Sequence, residues 1–169
     1  VLDAGATAET ATEAPIPNVD VHAAVGEAAL LSLVRGDVQT PVLPIGAGKS
    51  VGSVPSGMES DAIGALVEGA PDTTAVPTLR VTVADTTYRA LMDVMVVSTE
   101  AARISEFEIR TTGDHGSIGE GTEIDSVRAD GVVAATPIGT HGYSSAAGGP
   151  LVDPRLFGLA VVPVAPFTV

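Results

Sequence analysis

The hydrophobic period of this 169-residue chain changes near residue 77. Before that point, residues 19–25 alternate as a strand does and residues 27–34 repeat as one face of a helix does. After it, apolar residues alternate with polar ones at a period of two over several short runs. The change predicts an α+β chain, in which an α/β, Rossmann-like portion over residues 1–74 is followed by a strand-rich, β-sandwich-like portion over residues 75–169.

Within the first portion, glycines divide the apolar runs. Gly26 separates the predicted strand from the predicted helix, Gly36 ends that helix, and residues 41–45 form a second short apolar run. This order predicts a strand, helix, strand and turn unit with a crossover connection. Ser56 and Glu59 have the spacing of a capping box, which predicts a second helix beginning there.

In the second portion, the pattern predicts strands almost throughout. Residues 79–83 alternate, residues 85–87 form a turn, and residues 88–97 return as one long apolar strand. Further strands are predicted at four later runs, which are residues 107–109, 124–127, 132–134 and 159–164.

The charge balance excludes several classes of partner. The chain has 21 acidic and 8 basic residues, a formal net charge of -13, and one lysine, Lys49. Binding to nucleic acid is excluded because it needs clustered basic residues. The longest uncharged apolar stretch, residues 156–169, is too short to span a membrane. Acidic residues around an apolar interior, with lysine nearly absent, predict a salt-adapted cytoplasmic protein, with an ordinary acidic protein as the alternative.

Few side chains in the sequence have the type and spacing of a known catalytic or metal-binding motif. The absence of cysteine excludes disulfide scaffolds and thiolate metal sites. Residues 48–50 match the second half of a phosphate-binding P-loop, but Leu43 stands where the leading glycine should be, so a tight turn is the alternative. His22, His115 and His141 lack the spacing of a metal site and are interpreted as structural.

Two acidic or polar features favour a ligand more directly. Asp93 lies inside an apolar run, where a carboxylate needs a partner, and the pattern leaves a functional and a structural role equally open. Residues 130–150 lead from a strand into a segment of glycines, hydroxyls and one tyrosine, where a polar ligand could approach the backbone closely. The alternative is a glycine-rich connection with a packed tyrosine.

Residues 130–150 also resemble the signature of the NAD kinase family, DG followed by a strand and TPTGSTAYSLSAGGP. The matching positions are Asp130, Gly131, Thr136, Pro137, Gly139, Tyr143, Ser144, Ala147, Gly148, Gly149 and Pro150. Asp93 stands at the acidic position of the family's ALNEVV strand, and residues 24–31 fall at its VGGDGTLL box. The resemblance is specific in the last third of the chain, and with the acidic composition it suggests a divergent, haloarchaeal member.

The resemblance implies an activity and a set of site residues. It implies phosphorylation of the adenosine-ribose 2′-hydroxyl of NAD or NADH, using ATP or polyphosphate with Mg²⁺ or another divalent cation, in a homo-oligomer. Glu27 is then the catalytic residue, as the base or as the acid on the side of the metal-bound phosphates, and no dedicated protein metal ligands are implied. The implied ligand-contacting residues are Gly26, Asp93, Asp130, Thr136, Thr140, Gly142 and Tyr143. Few cations, chiefly Lys49 and Arg128, could meet an anionic ligand.

The box of this chain departs from the family pattern. It reads Val25-Gly26-Glu27-Ala28-Ala29, so two glycines and the threonine hydroxyl of GGDGT are absent and the acid is one methylene longer. Phosphoryl transfer depends mainly on positioning and electrostatics. The alternative is therefore a catalytically impaired nucleotide-binding paralog that acts as a sensor or an assembly subunit.

Overall fold

The computed structural model describes residues 6–11, 16–69, 72–100, 104–111 and 121–167, and it confirms the α+β class. The chain divides into two compact units, Val1–Leu91 and Met92–Val169. Within the described ranges, none of the helices combines the length and the apolar character that crossing a bilayer requires.

The first unit contains the predicted crossover. Its elements are β1 (His22–Val25), α1 (Glu27–Arg35), β2 (Val42–Ile45), a 3-10 turn (Lys49–Val51), α2 (Glu59–Glu68), β3 (Leu79–Val83) and β4 (Thr86–Ala90). β1 and β2 pair in parallel, which confirms the crossover through α1. Ala24, Leu30 and Ile45 are buried where the helix packs on the two strands.

The start of α2 differs from the predicted capping box. Met58 is the residue that precedes the first helical turn, and no side chain caps the helix. Gly57 adopts a φ of 94° and donates its N–H to the carboxylate of Glu59 at 2.8 Å, which lowers the pKa of Glu59. The capping-box prediction is wrong because the turn at Gly57 leaves Ser56 two residues before the cap position.

The predicted long strand over residues 88–97 is also wrong, because it is broken at residues 91–92. β4 pairs with β3 in the first unit, whereas the residues after the break pair with a strand of the second unit. The unit boundary therefore falls at 91/92, where the sequence predicts 74/75. The hairpin of β3 and β4 belongs to the first unit because it packs on α1, with Arg89 2.8 Å from the Asp37 carboxylate.

The second unit is rich in strands, as predicted, and its strands pair antiparallel. Its elements are β5 (Asp93–Val97), β6 (Ser105–Thr111), β7 (Thr122–Ala129), β8 (Gly131–Ala135), a 3-10 turn (Ile138–His141), α3 (Tyr143–Ala146) and β9 (Ala160–Val164). β8 is the centre of a three-stranded sheet between β5 and β9, while β6 and β7 form a separate hairpin. The four later predicted strands are confirmed as β6 to β9.

The core of the second unit centres on β8, where Val133 is 0% exposed. We expect Val133→Ala to lower the free energy of unfolding by about 2 kcal/mol, because it removes buried methyl groups and leaves a small cavity. Val161→Ala, at a position 39% exposed on β9, is the matched control and should cost less than about 1 kcal/mol. Urea unfolding measures both, and equal losses would contradict the central place of β8.

Candidate functional site

The segment that follows β8 is fastened to the start of β5 by hydrogen bonds. The N–H and the hydroxyl of Thr136 both donate to the carbonyl oxygen of Met92, at 2.8 and 3.0 Å. The same hydroxyl oxygen accepts the N–H of Gly139 at 3.2 Å. Thr136 is only 1% exposed, so these bonds form away from solvent and fix the path of the chain as it leaves the sheet.

Gly139 allows the closest backbone approach in this segment. A Cβ built on Gly139 would lie 2.0 Å from the carbonyl oxygen of Met92 and 2.4 Å from its carbonyl carbon. Both atoms belong to the backbone, so neither can rotate away. The glycine is therefore needed for contact between the 3-10 turn and the start of β5.

Thr140 closes the 3-10 turn from inside. Its hydroxyl donates to the carbonyl of Pro137 at 2.7 Å and accepts the N–H of Val152 at 3.2 Å, and the residue is 0% exposed. The hydroxyls of Thr136 and Thr140 thus hold the segment together. Direct contact of either hydroxyl with a ligand stays a prediction.

The exposed part of the segment lies beside Asp93. His141, Gly142 and Tyr143 are all exposed, and Tyr143 is 54% exposed. Oδ2 of Asp93 lies 3.6 Å from the point that a Cβ on Gly142 would occupy. Among the described residues, the carboxylate of Asp93 has no hydrogen-bond partner, although its residue is half-buried. This places an acceptor next to an exposed backbone segment, where a hydroxyl or amine of a ligand could donate to it.

Asp130 lies at the other end of the same strand pair. Asp93 is opposite Ala135, whereas Asp130 immediately precedes Gly131, which is opposite Val97. Five residues therefore separate the two positions along the strands, which places their Cα atoms about 16 Å apart. Within this unit the structure brings together Asp93, Thr136, Thr140, Gly142 and Tyr143, but not Asp130.

The other two predicted site residues belong to the first unit. Gly26 follows β1 with a φ of 82° and a ψ of 162°, a backbone conformation that is essentially restricted to glycine, and donates its N–H to the carbonyl of Ile45 at 2.7 Å. Glu27 opens α1 and is exposed. Both residues stand at the carboxyl edge of the parallel pair, where open α/β sheets bind ligands.

The residues of the partial P-loop match form a tight turn at that same edge. Lys49 begins the 3-10 turn after β2 and is exposed, and Gly52 closes it in the left-handed conformation. Val54 then pairs with Ile45, and the N–H of Gly46 donates to the carbonyl of Val54 at 2.8 Å. The observed backbone therefore fits the tight-turn alternative.

The spacing of polar residues did not predict a structural role for Ser144. Its side chain is fully buried, and within the described residues its hydroxyl has no hydrogen-bond partner. A Cβ on Gly149 would lie 2.6 Å from that hydroxyl, and the Gly149 N–H donates to the Ser144 carbonyl at 2.8 Å. The adjacent glycines at this point are the sequence feature that could have predicted how closely the backbone passes α3.

Histidines and acids do not form a metal cluster in the described parts of the chain. Both ring nitrogens of His22 are engaged, with the carbonyl of Pro17 at 3.1 Å and the hydroxyl of Thr40 at 2.8 Å, which fits a structural role. His115 lies outside the described residues. Arg128, a predicted donor to the ligand, lies 3.7 Å from the Glu106 carboxylate across the β6–β7 hairpin.

Comparison with known sequences gives matches to one family. Residues 93–169 match the family described as the ATP-NAD kinase C-terminal domain. The NAD kinase of Methanosarcina barkeri is 44% identical over 78 residues, which cover 46% of this chain and 26% of the relative. The NAD kinase of Archaeoglobus fulgidus is 37% identical over 78 residues, covering 46% and 28%. The matched segment thus spans about a quarter of these relatives, and it supports a relationship with the NAD kinases.

Comparison with solved structures extends the similarity of fold. An NAD kinase from Archaeoglobus fulgidus in complex with ATP gives a TM-score of 0.62 at 26% identity, over 88% of this chain and 57% of that chain. Yeast NADH kinase complexed with NADH gives a TM-score of 0.63 at 18% identity, over 89% and 46%. The second likeness is one of fold alone.

The close approach at Gly139 leads to a prediction about stability. We expect Gly139→Ala to lower the free energy of unfolding by about 3 kcal/mol, because the new methyl group would overlap the Met92 backbone. Gly158→Ala is the matched control, since a Cβ on Gly158 would have no neighbour within 4 Å. Its cost should stay below about 1 kcal/mol in the same urea titration. Comparable losses in the two variants would refute the argument from close approach.

Proposed function

We propose that this chain is part of an NAD kinase-like phosphotransferase that phosphorylates the adenosine-ribose 2′-hydroxyl of NAD or NADH, with ATP or polyphosphate as the donor. The observation that carries the proposal is the match of residues 93–169 to the ATP-NAD kinase C-terminal domain. The exposed backbone of Gly142 beside the unpartnered carboxylate of Asp93 supports it, because this arrangement suits a ligand rich in hydroxyl groups.

In the proposed reaction, the 2′-hydroxyl oxygen attacks the terminal phosphorus of the donor. The bond from that phosphorus to its bridging oxygen breaks, which leaves ADP or a shortened polyphosphate, and the hydroxyl proton passes to a base. Glu27 is our candidate for that base, since it is exposed at the first turn of α1, beside the restricted glycine Gly26. Catalysis of this kind rests on positioning and on neutralising phosphate charge.

The divalent cation is proposed to arrive with the phosphate donor. Mg²⁺ usually keeps several waters and binds through substrate phosphates with one or two carboxylates, so a dedicated protein cage is not required. The described residues offer no group of three or more histidines or acids. Glu27 alone could supply one carboxylate to a cation held by the phosphates.

A specific observation favours a second candidate function. In the box over residues 25–29 only Gly26 has a positive φ, and Ala28 and Ala29 offer no hydroxyl. A chain with this box could bind the dinucleotide as a sensor or an assembly subunit without transferring phosphate. Restoring glycine, aspartate, glycine and threonine at positions 25, 27, 28 and 29 should then create activity only if the rest of the site is intact.

The activity prediction concerns Glu27. The whole protein, incubated with NAD, Mg²⁺ and ATP or polyphosphate in concentrated KCl, should form NADP that is detected by chromatography. We expect Glu27→Gln to lower the rate by about a hundredfold or more, because the hydroxyl loses its proton acceptor. Glu68→Gln, at the exposed end of α2, is the control and should leave the rate unchanged.

NADP formation that does not depend on Glu27 would refute its role in the reaction. If folded native protein binds NAD and forms no NADP with either donor, the result supports the sensor function and refutes the phosphotransferase function.

A binding prediction concerns Asp93. We expect Asp93→Asn to raise the dissociation constant for NAD about tenfold, because an amide is a weaker acceptor than a carboxylate for a ligand hydroxyl or amine. Asp85→Asn, in the turn between β3 and β4, is the matched control. Isothermal titration calorimetry measures both, and unchanged affinity in Asp93→Asn would remove Asp93 from the site.

Three further properties belong to the same proposal. We infer a cytoplasmic, salt-adapted protein from the acidic composition, and a homo-oligomer and a haloarchaeal source from the family resemblance. Sedimentation of the whole protein in concentrated and dilute KCl tests the oligomer and the salt dependence together. A monomer at every salt concentration would contradict the homo-oligomer.

A further inference from the structure

The arginines of the second unit are already paired with acids. Every arginine described in this unit has a carboxylate within 4 Å: Arg110 has Glu108, Arg128 has Glu106 at 3.7 Å, and Arg155 has Asp153 at 2.6 Å. Hydrogen bonding from Arg155 holds the pKa of Asp153 well below its usual range. In each of these pairs, a neighbouring carboxylate offsets part of the arginine's positive charge in the absence of any ligand.

His141 is different from these arginines. It is exposed, and within the described residues its ring has no hydrogen-bond or ion-pair partner. It directly precedes Gly142, so it lies in the exposed segment beside Asp93. Its backbone is held in place, because the preceding Thr140 is anchored by two hydrogen bonds of its hydroxyl.

An anionic ligand needs a local donor in this chain. The formal net charge is -13, and Asp93 itself repels a phosphate. A nucleotide carries both kinds of group, since its hydroxyls and amines can donate to Asp93 while its phosphates need a positive or donating partner. Of the described side chains in the second unit that can carry a positive charge, His141 is the one that has no ion pair or hydrogen bond with a carboxylate.

We propose that His141 binds a phosphate group of the ligand, donating from its imidazole ring, while Asp93 accepts from the uncharged part of the same ligand. This inference rests on the proposed function, because it takes the ligand to be a dinucleotide bound at the exposed segment beside Asp93. A charge-assisted hydrogen bond of this kind is stronger than a neutral one.

The neighbouring elements contribute few competing charges. The ionisable groups on the elements around His141 are Asp93 on β5, Tyr143 on α3, and the Asp153–Arg155 pair that follows Val152. β8 and β9 contain no ionisable side chain.

The test uses the whole protein and three probes at matched ionic strength: NAD, inorganic pyrophosphate and adenosine. We expect His141→Asn to raise the dissociation constants for NAD and pyrophosphate by about tenfold to a hundredfold. Adenosine, which carries no phosphate, should bind within about twofold of the native value. His141→Lys, which keeps a donor that can meet a phosphate, should keep the NAD affinity within about twofold of the native value.

Arg155→Gln is the matched control. It removes a cation that Asp153 already compensates, so NAD affinity should stay within about twofold. Circular dichroism and urea unfolding establish that each variant is folded.

The outcomes separate the two proposals. NAD binding that is the same in native protein and His141→Asn overturns the role of His141 and leaves the proposed function standing. Pyrophosphate binding that depends on His141, without NAD binding, supports the anion site and overturns the proposed function. Absence of binding by both probes in folded native protein overturns both.

Discussion

The carbonyl oxygen of Met92 is the acceptor on which the geometry of the second unit's site depends. It receives two hydrogen bonds from Thr136 and lies against the Cα of Gly139. Because Asp93 is the next residue, the same contacts set its carboxylate beside Gly142. Hydrogen bonds and close contacts within the fold therefore determine where the exposed acceptor lies, in the way that supporting hydrogen bonds hold functional groups elsewhere.

Glycine serves two separate purposes in this chain. At Gly139 the backbone conformation is ordinary and the constraint is space, because any side chain would overlap the Met92 backbone. At Gly26 space is open and the constraint is φ, which lies where other residues are strained. A substitution at Gly139 thus disturbs packing between two segments, whereas one at Gly26 strains the connection between β1 and α1 without displacing a neighbour.

Local pattern was enough to predict the fold class, the crossover through α1 and the strands β6 to β9, since each depends on hydrophobic period. It missed the break at residues 91–92, because the sequence there is apolar throughout and only pairing with different sheets divides it. The separation of Asp130 from Asp93 was equally hidden, since it follows from antiparallel register. The family resemblance implied Thr136 and Thr140 as ligand contacts, and the structure adds that both hydroxyls make hydrogen bonds within the fold, which the sequence pattern did not predict.

In the proposed function, the division of the chain places most of the candidate binding side chains and the candidate base in different units. The side chains suited to holding a dinucleotide, chiefly Asp93 and His141, belong to the second unit, and the candidate base Glu27 belongs to the first. Ligand affinity tolerates a small displacement of one group, because other contacts remain. Phosphoryl transfer does not, since a displacement near 1 Å can cost about a hundredfold in rate. Under the proposed function, changes at residues 25–29 are therefore expected to lower the rate of transfer more than the affinity for the dinucleotide.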